Sequence, residues 1–434
     1  MMRFLVLATA LLLLLGGRLR AQDSGAPPAD APRVYLDCSY FCDTDYLRTE
    51  MKWVNWVRDQ ADAQVHVLVT RQGTGGGGGE FKLNFIGLKE RQGKSDTLTY
   101  VASQNNSEDE VRQGLARVIK AGLVPYLMNT SLAARLQISM GAPDTTANQK
   151  SSGPQRDPWN YWVFSAGMRS NMDGESSQKF SNYNGNLSAN RTTAGFKIRI
   201  GINGSYNESS FSYTADSGND TTLVTIRRSY GANILAVGSV GDHWSGGFES
   251  GASSATFGNI SLGLSGGPAI EYSFWPYSEA TRRSLAFRYS AGIKSFDYRE
   301  ITIFDKIKET HPSHHFTAEL NLRQRWGSTS FSTNFSQYLH DMAKYNASIF
   351  GNANVRLFKG FSIDFYGEYA RVRDQLSLPG RELSEEEVLL RQRQLETSYR
   401  YWGGFGIRYS FGSIFNNVVN PRFGEGGGGG MIIM

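Results

Sequence analysis

The sequence predicts a mainly β chain, an antiparallel transmembrane β-barrel of about twelve strands preceded by a small α/β domain. Three observations predict it. Between Trp159 and Phe411 apolar and polar residues alternate in segment after segment, as in Phe196, Ile198, Ile200 and Ile202 around Lys197, Arg199 and Asn203. Leu285 to Ile293 and Phe361 to Tyr369 repeat the pattern. No stretch after the first residues is long and apolar enough to be a membrane helix. The connections between alternating segments are short and long in turn. A soluble sandwich also shows a period of two, but it has no need of so many strands of about 10 to 20 residues. In lipid every backbone N–H and C=O must be paired inside the protein, so a chain without spanning helices crosses only as a closed sheet.

The chain opens with Arg3 and the apolar run Phe4 to Leu15, closed by Ala21; residues 1–21 read as a secretory signal. Residues 22–32, rich in Ala, Pro and Asp, read as a linker. The net charge of +5 is spread along the chain, which gives no support to nucleic-acid binding.

Residues 33–138 predict a compact α/β domain, expected in the periplasm. Arg33 to Asp37 reads as a strand and Asp45 to Asp59 as a helix with Leu47, Met51, Val54 and Val57 on its apolar side. Val65 to Arg71 and Glu80 to Leu88 alternate as two strands joined by Gly73 to Gly79, and a strand Thr97 to Ala102 follows. Ser107 and Glu110 form a capping box that opens a helix ending at Gly122. The glycine run is not a phosphate loop, because Glu80 opens a strand where such a loop needs Gly-Lys-Ser/Thr opening a helix. Cys38 and Cys42 have two readings, a local disulfide or two reduced thiols in a core. Their three-residue spacer is wrong for a redox Cys-x-x-Cys, no second cysteine pair exists to complete a zinc site, and no metal or cofactor is expected. Residues 139–158 read as the interdomain linker.

Residues 159–412 carry the barrel, with strands near 160–172, 178–190, 194–213, 221–239, 244–255, 257–274, 282–299, 314–326, 328–340, 344–357, 361–375 and 396–411. Arg191 to Thr193, Val240 to His243, Trp326 to Gly327 and Phe358 to Gly360 are tight turns. Thr214 to Asp220, Glu300 to Ser313 and Leu376 to Leu395 are long. Short periplasmic turns, long outer loops and an even strand count put both ends of the barrel beside the N-terminal domain. Residues 413–434 read as a periplasmic tail.

In the last strand Phe405, Ile407, Tyr409 and Phe411 share a face, and Gly406, Tyr409 and Phe411 match the terminal-strand signal read by the barrel-insertion machinery. With Ser398 to Tyr401 (Ser-Tyr-Arg-Tyr) and Ser413 to Phe423 (Ser-Ile-Phe-Asn-Asn-Val-Val-Asn-Pro-Arg-Phe), essentially the whole mature chain resembles the bacterial outer-membrane β-barrel proteins, particularly uncharacterised ones with a small periplasmic domain. The resemblance implies an outer-membrane location in a Gram-negative envelope, with the lipid bilayer and the insertion machinery as partners. Ala63 to Gly87 is more weakly similar to the N-terminal modules of TolB-like and CsgG-like envelope proteins, and carries no residue-level role.

By parity Lys197, Arg199, Arg288, Lys294, Arg323, Arg356 and Arg408, with Glu271, Glu319, Asp364 and Glu368, line the lumen. Mixed charges either knit an interior shut or line a narrow path, and the basic excess favours anions if the path is open. His311, His314 and His315 are expected in a solvated loop. His243 with Ser245 and His311 with Ser313 carry the spacing of a lipid hydrolase pair, but at a turn and beside Pro312, so no catalytic residues are assigned and no enzyme is expected. Ser384 and Glu387 predict a short loop helix at the outer mouth. The leading expectation is a non-enzymatic, porin-like barrel anchoring a periplasmic domain that docks to another envelope protein. The alternatives are a narrow solute or export channel with that domain as plug or gate and, last, a surface lipid hydrolase.

Overall fold

The structure, a computed structural model, describes residues 27–38, 41–137, 157–214, 220–381, 393–417 and 419. The expected signal, most of the interdomain linker, the helix at Ser384 to Glu387 and most of the C-terminal tail lie outside the described residues.

The N-terminal domain contains β1 (Arg33–Asp37), α1 (Thr44–Glu50), β2 (Asn55–Trp56), β3 (Val65–Gly73), β4 (Gly79–Gly87), β5 (Ser95–Ala102) and α2 (Glu108–Leu127). Its sheet runs β2-β1-β3-β4-β5; β1 is parallel to β2 and β3, and the other pairs are antiparallel. α2 packs on one face, where Leu115, Ile119, Leu123 and Tyr126 join Val65, Val67, Leu83 and Phe85 in the core. The capping box of Ser107 and Glu110 is present, with bonds of 3.2 and 2.7 Å. α2 runs past its predicted end. Gly122 is not a terminator but the site where the helix meets the sheet, since a Cβ there would lie 2.1 Å from the Phe85 ring. α1 is shorter than expected, because Asn55 and Trp56 leave the helix to pair with Arg33 and Val34 as an edge strand. Cys38 and Cys42 are joined in a disulfide, with Cα atoms 5.9 Å apart, between β1 and α1.

Twelve strands follow: β6 (Trp162–Gly174), β7 (Gln178–Thr192), β8 (Phe196–Thr214), β9 (Asp220–Ser239), β10 (Trp244–Ala255), β11 (Ile260–Ser273), β12 (Arg283–Tyr298), β13 (Lys308–Gln324), β14 (Gly327–Tyr338), β15 (Tyr345–Phe358), β16 (Phe361–Val372) and β17 (Tyr399–Tyr409). Each pairs antiparallel with the next, so the fold is mainly β, a twelve-stranded antiparallel sheet after a small α/β domain. β13 begins six residues earlier than the predicted 314, which moves His311, His314 and His315 from a loop into a strand. Pro312 reads as a breaker but is tolerated. Its carbonyl accepts from the N–H of Leu339 just beyond the end of β14, so its missing N–H falls past the ladder.

The sheet is rolled. Laid flat, β6 and β17 would be roughly 50 Å apart at the usual strand spacing, yet the one small domain reaches both. Gly76 lies against Val163 of β6, and Arg58 donates to the carbonyl of Phe411, just past β17. At the other end the β16–β17 connection crosses to hairpins in the middle of the sheet. Asn259 donates to the Ser377 carbonyl, and Thr302 bridges Pro379. Among the described residues no pairing joins β6 to β17, so the roll carries a seam where the sequence predicts a closed sheet.

Candidate functional site

The registers sort the rolled sheet into two faces. One carries Phe164, Met168, Leu187, Ile202, Ile234, Phe248, Leu264, Tyr289, Ile349, Phe365 and Phe405, which no other part of the chain covers. The other is polar. Successive pairs run Lys197–Val237–Gly247–Ala269–Ser290–His315 in one row and Arg199–Leu235–Glu249–Gly267 in the next. A third row is Ser239–Ser245–Glu271–Arg288–Thr317. Lys294, Glu319, Arg323, Arg356, Asp364, Glu368 and Arg408 lie on this same face by register.

The inner charges are partly paired. Arg288 grips Glu271 through Nε and Nη2 at 3.0 and 2.9 Å, and Glu271 also accepts from Tyr277, whose hydroxyl accepts from Ser245. Glu368 accepts from Arg400 and from the Trp402 indole, two inward residues the sequence reading missed. Asp364 sits beside Gly406, whose lack of a Cβ leaves room for the carboxylate. Tyr409 and Phe411 stack on the opposite face, with ring centroids 5.5 Å apart. Lys294 lies over the Tyr338 ring. For Lys197, Arg199, Glu249, Glu319 and Arg408 no hydrogen bond or ion pair is present among the described residues. Glu249 was also missed, although the Gly247-Phe248-Glu249-Ser250-Gly251 alternation carries it inward.

Small residues leave this wall unfilled. Two cavities of about 530 and 430 Å³ adjoin along β8 to β13 and share Leu235, Glu249 and Arg288. The first reaches Gln72 on the domain's β3.

The domain covers the short-turn end. Asp37, the last residue of β1, forms a two-pronged ion pair with Arg356 of β15 at 2.8 and 2.9 Å, and Arg356 lies over the Tyr35 ring. His66 Nε2 faces Asp37 at 3.2 Å; because a carboxylate only accepts, this nitrogen carries the proton. His66 is fully enclosed, and among the described residues its Nδ1 has no hydrogen-bond partner. Burial raises the Asp37 pKa, but the hydrogen bonds from His66 and Arg356 outweigh it and hold the carboxyl at about 2. Lys359 pairs with Asp62, and Asp59 accepts from the Gly360 N–H. Arg323, expected simply to line the lumen, donates to the Arg71 carbonyl at the rim. The glycine hairpin tip rests on the β7–β8 turn, where a Cβ at Gly75 would meet Thr192 at 2.5 Å. After β17 the tail turns back onto the domain. Arg58 N–H donates to Ile414, Asn416 N–H to Trp56, and Phe415 bridges Val57, so the tail adds to the edge of β2.

The histidines that carry the hydrolase spacing have other partners. His243 Nδ1 meets the Ser273 carbonyl at 2.7 Å while Ser245 donates to Tyr277. His311 meets Glu309 at 2.7 Å and stacks on His340.

No family model matches the chain, and no curated protein matches it. Among solved structures it is similar to the NanC porin, at 11% identity and a TM-score of 0.28, over 57% of this chain and 99% of that one. A likeness at this level bears on neither cargo nor partner.

Proposed function

We propose that this chain is a non-enzymatic outer-membrane β-barrel protein, with the short-turn end and the N-terminal domain in the periplasm and the domain seated as a plug. The observation that carries the reading is the continuous apolar face of the twelve-stranded sheet, left uncovered by the chain while the opposite face is polar. In water such a belt is an aggregation surface; in lipid it is the outer wall of a barrel. Unpaired strand edges are not tolerated in hydrocarbon, so in the bilayer β6 and β17 close on each other. The plug reading is supported by the adjoining inner cavities and by the contacts of Asp37, Asp59, Asp62 and the tail with the rim.

Single-channel recording in planar bilayers tests it, comparing the refolded mature protein with a form lacking residues 22–150. Steady current that appears or grows on deletion is the expected result. Equal currents from both forms would remove the plug. Silence from both, with heat-modifiable folding on gels, would mean a filled barrel acting as an anchor. That outcome would favour the second reading, in which the domain docks to another envelope component. The outer edge of β5, unpaired among the described residues, supports this reading as a place for a partner's strand.

A further inference from the structure

On the strand walls of the inner cavity beside the plug, a cation and a carboxylate face the same space and do not meet. Lys197 and Glu249 both line it, and neither has a hydrogen bond or ion pair among the described residues. They lie two strands and two residues apart in the register, so their Cα atoms are separated by on the order of 12 Å. Between them β9 presents only the apolar Val237 and Leu235 to the cavity, and Gly247 beside Glu249 carries no side chain. Of the other charges on the cavity wall, Arg288 is held by Glu271 and Glu271 by Tyr277, while Asp242 stands in the β9–β10 turn at the rim. Gln72 of the domain also lines it.

We infer that this cavity binds a small zwitterion, such as an α-amino acid or a dipeptide, with its carboxylate on Lys197 and its ammonium on Glu249. A simple anion would satisfy Lys197 and leave Glu249 facing it with like charge; a simple cation would do the reverse. A ligand carrying both charges pairs both groups at once. The inference rests on the polar inner face of the channel reading and names the class of solute for it.

The test is calorimetric titration of the refolded full-length protein with alanyl-alanine, its N-acetyl form and its C-terminal amide. The dipeptide is expected to bind at least about tenfold more tightly than either singly charged form. Lys197→Met and Glu249→Gln, checked for heat-modifiable folding, should each abolish that preference. Equal binding of the N-acetyl form would show an anion site, and no binding by any of the three would leave no site; either result overturns the inference. The wild-type series does not depend on the variants folding. Dipeptide binding by a barrel that never conducts would sink the channel reading and keep the site. Conduction without binding would do the opposite.

Discussion

The domain sheet and the rolled sheet are written in the same two-residue alphabet and meet opposite surroundings. In the domain Val65, Val67, Leu83 and Phe85 point at α2 and are wholly enclosed. In the rolled sheet Met168 and Phe405 are 79% and 77% exposed. The difference teaches that alternation specifies a face and not its partner. A helix of the same chain covers one apolar face, and the proposed bilayer covers the other. The two sheets also bury their polar groups differently. The domain encloses His66 against Asp37, whereas the inner wall spreads its charges along cavities.

Substitutions that respect one setting and violate the other break the comparison cleanly. The largest effect is expected from Phe85→Ala, which empties a fully enclosed site under Gly122 and should cost the domain about 3 to 5 kcal/mol. Denaturant unfolding of the domain measures it, while the heat-modifiable band of the barrel stays. Leu264→Arg, on the uncovered face near the middle of β11, should cost about 2 to 4 kcal/mol in a bilayer. A cost within about 0.5 kcal/mol, the norm for an exposed site in water, would deny the membrane setting.

The join between the two regions should be sensitive to acid. Because the folded Asp37 pKa of about 2 lies below the ordinary aspartate value of 3.8, its stabilisation is complete above pH 4 and lost as pH falls toward 2. It amounts to on the order of 2 kcal/mol, shared between His66 within the domain and Arg356 at the join. Arg356→Ala should loosen the domain at neutral pH by about 2 kcal/mol and flatten that dependence. Protease sensitivity of the linker near residues 139–158 against pH reads both, and an unchanged profile in Arg356→Ala would remove the latch. The smallest perturbation addresses the seam. Ser165→Cys combined in turn with Gly404→Cys, Gly406→Cys or Arg408→Cys should give one cross-linked pair in membranes. Ser165→Cys with Ser188→Cys, whose hydroxyls are 2.7 Å apart, is the control. A cross-linking control with three silent pairs would mean that the seam stays open.

The strands were legible because strand geometry is local. Twelve segments stand within a few residues of where the alternation puts them, apart from the early start of β13. The misses have local causes too. Pro312 hid the start of β13, and the apolar Val54 and Val57 imitated a helix face on either side of a short edge strand. Glu249, Arg400 and Trp402 escaped notice because glycines interrupt the apolar signal that would have set their parity.

By itself the sequence determined which side chains share a face, since the backbone alternates every two residues whatever surrounds it. Only the tertiary structure decided which of those side chains meet. Asp37 and Arg356 lie 319 positions apart, and Trp56 and Asn417 lie 361 apart. Such pairs have no periodicity to betray them, because they exist only once a sheet of twelve strands has rolled and brought both its ends to one small domain.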